Sequence, residues 1–167
     1  MDANHRGVVK WALENGCPSC PEIFVTSAEN GDVEAIGWLL TLGCVWDARV
    51  TAAAARGGCV QTLHWLLSKG CPWDAHVLSE AAIQNHGDVV RYALSRGCPS
   101  DSAAIRGCVL NGNVALLTAC LEAGLPWCDA TIAQAERMGS APCMECAALL
   151  KARDWDRDAE AFGWVLQ

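Results

Sequence analysis

Thr62-Leu-His-Trp-Leu-Leu-Ser-Lys-Gly-Cys-Pro-Trp-Asp74 contains a helix, its end, and the start of the next helix. Apolar residues at Leu63, Trp65, Leu66 and Leu67 lie on one side of an amphipathic helix. Gly70 can take the left-handed conformation that closes it, Cys71 supplies an apolar contact after the end, and Pro72 prevents continuation. Asp74 is placed to accept hydrogen bonds from the unpaired amides of a new helix. Trp73 stands before that cap and Leu78 lies five residues after Trp73, the spacing of a hydrophobic staple.

The same pattern recurs along the chain. Gly16, Gly43, Gly70, Gly97 and Gly124 are spaced 27 residues apart, in the contexts GCPSC, GCVWD, GCPWD, GCPSD and GLPWC. A worn copy, Ala152-Arg-Asp-Trp-Asp156, comes one residue out of step, so a sixth turn is expected there. Trp11, Trp38, Trp65 and Tyr92 each precede a glycine of the series by five residues. Asp47 and Asp101 repeat the capping position, and Trp127 with Ile132 repeats the staple, whereas Trp46 faces only Thr51. A second turn inside each unit is marked by Asn30-Gly31, Gly57-Gly58, Asn85-His86, Asn111-Gly112 and Met138-Gly139. No segment alternates as a strand does.

The expected fold is therefore all-α, a single domain over 1–167. It divides into a partial repeat 1–15, repeats 16–42, 43–69, 70–96, 97–123 and 124–151, and a closing partial repeat 152–167 whose Phe162 and Trp164 suit an end cap. A lone helix pair cannot cover its apolar face, so such units must stack into a helical-repeat solenoid.

Laid out this way, Ala54-Ala-Arg-Gly-Gly58 followed by Val60 to Leu67 resembles the second part of an ankyrin repeat. The resemblance spans almost the whole chain. At 27 residues the unit is shorter than the ankyrin length of about 33, so the long hairpin fingers are missing and GCPWD stands in their place. Short repeats of this kind resemble those in large arrays encoded by giant viruses of amoebae and some protists. The resemblance implies a protein-binding role without catalysis, and for His86 a structural role at its turn.

Counting from each cap, positions three, four, seven and eight are mostly apolar, as in Val77, Leu78, Ala81 and Ala82 or Ala104, Ile105, Cys108 and Val109, and form the expected core stripe. Positions two, six and nine carry Glu22, Thr26 and Glu29, then Arg49, Ala53 and Arg56, then His76, Glu80 and Ile83, and later Arg137. A constant framework with a varied outer stripe suits a tailored binding surface. The expected function is an adaptor or scaffold binding a protein through Glu22, Glu29, Arg49, Arg56, His76, Glu80 and Arg137, by acidic, basic and mixed blocks. The alternative is a structural protein that self-associates through its unfinished ends.

Other chemistry is disfavoured. A net charge of −7 with thinly spread Lys and Arg argues against nucleic acid. No apolar run suits a signal peptide or membrane span, so an intracellular, cytoplasmic setting is expected. There is no HExxH, GxSxG or phosphate-binding glycine loop, and neither an enzyme, a cofactor nor a metal is expected. Cys17-Pro-Ser-Cys20 and Cys143-Met-Glu-Cys146 have zinc or redox spacing, but 122 residues separate the two pairs, at opposite ends of a stack, and no strand precedes either. Cys17, Cys44, Cys71 and Cys98 share one repeat position that Leu125 fills in the fifth copy, which indicates packing. The Trp46, Trp73, Trp127 and Trp155 row is explained by its staple position, with an exposed edge available as an interface anchor. Thiol titration of the protein unfolded without reductant should count all eleven cysteines as free; a count near one would show a disulfide scaffold instead.

Overall fold

The computed structural model describes residues 20–161, which leaves the expected partial repeat 1–15, Cys17, Phe162 and Trp164 outside the described residues. Ten helices fill this span and no strand occurs among the described residues. They are α1 (Cys20–Glu29), α2 (Val33–Thr41), α3 (Ala48–Arg56), α4 (Val60–Ser68), α5 (His76–Ile83), α6 (Gly87–Ser95), α7 (Ser102–Leu110), α8 (Val114–Glu122), α9 (Asp129–Met138) and α10 (Ala141–Ala161).

The helix boundaries follow the punctuation of the sequence. Gly43, Gly70, Gly97 and Gly124 have φ between +68° and +81°, and at the inner turns Gly31, Gly58, Asn85, Gly112 and Gly139 are left-handed as well. At the helix starts the carboxylates of Asp47, Asp74 and Asp101 accept from the amides of Arg49, His76 and Ala103 at 3.0, 3.0 and 2.9 Å. Asp32 and Asn113 cap α2 and α8 in the same manner, at 2.8 and 3.0 Å.

One expected turn is absent. The chain around Ala152-Arg-Asp-Trp-Asp156 continues as helix, because α10 runs unbroken to Ala161. The position one period after Gly124 is Lys151, and no Pro follows it, so both elements of the stop signal are missing.

Each odd-numbered helix packs on the even-numbered one that follows it, and on the odd-numbered helices before and after it. The contacts α4 to α6, α6 to α8 and α8 to α10 make a second row. The core lies between the rows and includes Phe24, Ile36, Leu39, Leu63, Leu66, Leu78, Ile105, Leu116, Leu117 and Leu150, all fully buried. The stripe of Val77, Leu78, Ala81, Ala82, Ala104, Ile105, Cys108 and Val109 is buried as expected.

Small side chains let the odd-numbered helices approach closely. In α3 every residue from Val50 to Ala55 is buried, which places Ala53 inside the packing and not on the outer stripe. Thr51, too, is buried; its hydroxyl donates to the carbonyls of Ala48 and of Pro72 in the next unit, both at 2.9 Å. Trp46 is held instead by Phe24 and Trp65, with ring centroids 6.2 and 6.4 Å away. A Cβ on Gly57 would lie 1.9 Å from the carbonyl oxygen of Glu29, and one on Gly107 2.7 Å from the amide nitrogen of Ile83. Backbone meets backbone at both places.

This geometry separates two roles of glycine. Gly57 has an ordinary φ of −76°, so Gly57→Ala fails only by collision, and should cost about 3 kcal/mol. Gly43→Ala has open space around it and only left-handed strain to bear, about 1 kcal/mol. Urea denaturation of the two variants checks the order; equal losses would contradict the close approach.

Candidate functional site

The outer face of α1, α3 and α5 is built by an i, i+7 relation that returns a helix to nearly the same side. Glu22 and Glu29 share that side of α1, Arg49 and Arg56 that of α3, His76 and Ile83 that of α5. Because these helices pack in succession, their outer sides join into an open groove of about 580 Å³. Its lining comprises Glu22, Arg49, Arg56, His76 and Glu80 together with Val25, Asp47, Ala48, Ala52 and Asp74.

Five of the seven residues singled out from the sequence thus meet around one cavity. Glu29 stands close enough for its charge to act on Arg56. Arg137 lies in the last turn of α9, apart from the groove. The cap aspartates Asp47 and Asp74 were legible as caps but not as groove walls, since only stacking turns their outer edges toward the cavity.

The arginines are already engaged. The Arg56 guanidinium grips Glu80 of the next unit through Nε to Oε2 at 3.0 Å and Nη2 to Oε1 at 3.2 Å. Arg49 turns back onto its own cap, with Nε 2.9 Å and Nη2 2.8 Å from Asp47 Oδ2. The hydrogen bond from Arg49 holds the Asp47 carboxyl below its ordinary value, and the guanidinium in turn is held more firmly protonated. The bond to Glu80 likewise raises Arg56. His76 Nδ1 lies 3.2 Å from Asp74 Oδ1. The Glu22 carboxylate takes no hydrogen bond among the described residues and acts on Arg49 only across space.

The cysteines serve packing and backbone capping. Cys71 and Cys98 are buried, and their thiols donate to the carbonyls of Asp47 and Asp74 one unit earlier, at 3.7 and 3.5 Å. Burial pushes them up to about 12 and about 11. Leu125 is buried at the equivalent position. Of the second CxxC pair, Cys143 donates to Val109 O at 3.3 Å and Cys146 is fully buried. Cys108 and Cys120 touch at 3.9 Å within the core, and that contact with burial keeps the Cys108 thiol protonated. Exposed Cys128 differs, lowered mainly by its hydrogen bond with Thr131. All nine cysteines whose side chains are described are unpaired as disulfides. No three His, Cys, Asp or Glu side chains among the described residues gather as metal ligands.

His86 braces the turn before it, its Nε2 3.0 Å from the carbonyl of Arg56. Trp46, Trp73 and Trp127 are half-buried against the core. No described helix is long and apolar enough to cross a membrane. In comparison with known proteins, no family model and no curated protein matches the sequence.

Asp47 both caps α3 and holds Arg49, so Asp47→Ala should cost about 1 kcal/mol at neutral pH. Its lowered pKa means that the charged carboxylate's contribution is complete above the ordinary value of 3.8 and is lost as pH falls below it. Thermal melts of the two proteins from pH 7 to pH 2 should therefore converge at the acid end; a gap unchanged at low pH would contradict the ionic cap.

Proposed function

We propose that this chain is a non-catalytic protein-binding module, an ankyrin-like helical-repeat solenoid without long fingers that holds its partner through the outer face of its first helices. The observation that carries this reading is the convergence of Glu22, Arg49, Arg56, His76 and Glu80 from three helices on one open groove. These side chains are exposed or half-buried and contribute little to the core, whereas the framework beneath them repeats its glycine stops and, in three units, its aspartate caps. The left-handed helix ends, the packing of odd-numbered helices in succession and the brace from His86 support the ankyrin likeness. The binding role fits an adaptor or scaffold, because an open groove rimmed by charged side chains offers recognition without a sequestered reaction volume.

Reversing an arginine here also breaks an internal pair, so a groove block is the cleaner test. Ala48→Trp places a bulky ring in the groove from the first turn of α3 and leaves both arginines and their carboxylate partners in the chain. Affinity capture from eukaryotic cell extract, read by mass spectrometry, should recover a protein with the native chain and lose it with Ala48→Trp. Identical recovery by the two chains would remove the groove as the binding site.

A further inference from the structure

The groove continues into a second surface of different character. The residue at cap position nine stands at or beside the end of each odd-numbered helix, and in chain order these residues are Glu29, Arg56, Ile83, Leu110 and Arg137, with Met138 next to the last. Ile83, Leu110 and Met138 remain 42%, 39% and 44% exposed. Their neighbourhood is fixed by packing: α5, α7 and α9 contact in succession, and Asn111 Nδ2 donates to the carbonyls of Ala82 and Ile83, both at 2.9 Å. Ile83 and Leu110 therefore end adjacent helices tied together through Asn111, and Ile83 takes on α5 the position that Arg56 takes on the neighbouring α3.

Charge in the polar half is unbalanced. Among the described residues, Glu22, Glu29, Asp47, Asp74 and Glu80 face Arg49, Arg56 and His76; the two guanidiniums are spent on Asp47 and Glu80, and His76 sits against Asp74. The carboxylates left with acceptor capacity at the α1 end are Glu22 and Glu29, on one side of that helix. At the far end Arg137 carries the opposite sign.

From this we infer the chemistry of the partner: a peptide segment with lysine or arginine at one end, seated against Glu22 and Glu29, followed by aliphatic or aromatic side chains that cover Ile83, Leu110 and Met138. The inference rests on the binding reading given above. Cationic groups satisfy the unspent carboxylates, while Arg137 repels them from the other end and so sets the direction of the segment. Neighbouring packed helices lie about 8–10 Å apart and an extended chain advances about 3.3 Å per residue, so roughly a dozen residues span the row.

The test uses the full chain and a random 16-residue peptide library displayed on phage. Enriched peptides should place a basic residue ahead of two or more apolar ones, and a synthetic copy of the consensus should bind in fluorescence anisotropy. Glu22→Gln with Glu29→Gln should weaken it about fivefold, and more at low salt than at high salt. Ile83→Ser with Leu110→Ser should weaken it about tenfold, with circular dichroism melts confirming that each variant folds. Peptides that bind and are lost with Ala48→Trp, yet lack basic residues or are indifferent to both double variants, would overturn this partner chemistry and leave the groove reading standing. Peptides indifferent to Ala48→Trp as well, or no enrichment, would overturn both.

Discussion

Close contact between successive odd-numbered helices is the constraint on which the rest of the structure depends. At Gly57 the chain passes the carbonyl of Glu29 so nearly that no side chain fits between them, and Gly107 repeats the approach beside Ile83. Residues Ala52 to Ala55 keep α3 slim around most of its circumference. Backbones at this separation leave little room for long side chains between the units, so the larger apolar groups collect between the two rows, where Leu63, Leu66, Leu78 and Ile105 are fully buried. Van der Waals contact over such an interface is individually weak and collectively large.

Stacking at this distance also settles the backbone's polar groups. A helix end leaves carbonyls without partners, and burial makes an unpaired carbonyl costly. Here the next unit supplies the donor: His86 reaches the carbonyl of Arg56 and Asn111 that of Ile83, while at the helix starts Cys71 and Cys98 add a second donor to the carbonyls of Asp47 and Asp74, which already accept from Val50 and Val77. In the opposite direction Thr51 donates to Pro72. Each unit completes its neighbour's turns, which gives cysteine, histidine and asparagine a structural role at those turn positions.

The groove is a by-product of the same geometry. Parallel stacking aligns side chains one heptad apart on each helix, and aligned outer faces leave a trough wherever the residues differ in length. Within it Arg56 bridges to Glu80 of the following unit, and Arg49 returns to its own helix cap. Exposed pairs of this kind contribute modestly to stability, about 1 kcal/mol or less. Their larger effect is on the surface potential, since they withdraw both arginines and leave the carboxylates at the α1 end as the groove's outstanding charge.

The repeat, the helix ends and the buried stripe were legible in the sequence because they are local. Gly70-Cys-Pro-Trp-Asp74 stops one helix and caps another through contacts a few residues away, and the 27-residue period multiplies that signal. Where the local signal failed, at Lys151, the expected turn failed with it and α10 continued. The sequence also singled out Glu22, Arg49, Arg56, His76 and Glu80 by their outward register. It could not place Ala53 inside, find Phe24 and Trp65 as the partners of Trp46, or show that both arginines are engaged. Those outcomes depend on which residues of one unit lie against the next, at separations of 20 to 30 residues along the chain. Register and chain chemistry set the helices by themselves; pairing across units is fixed only when the helices are brought into contact.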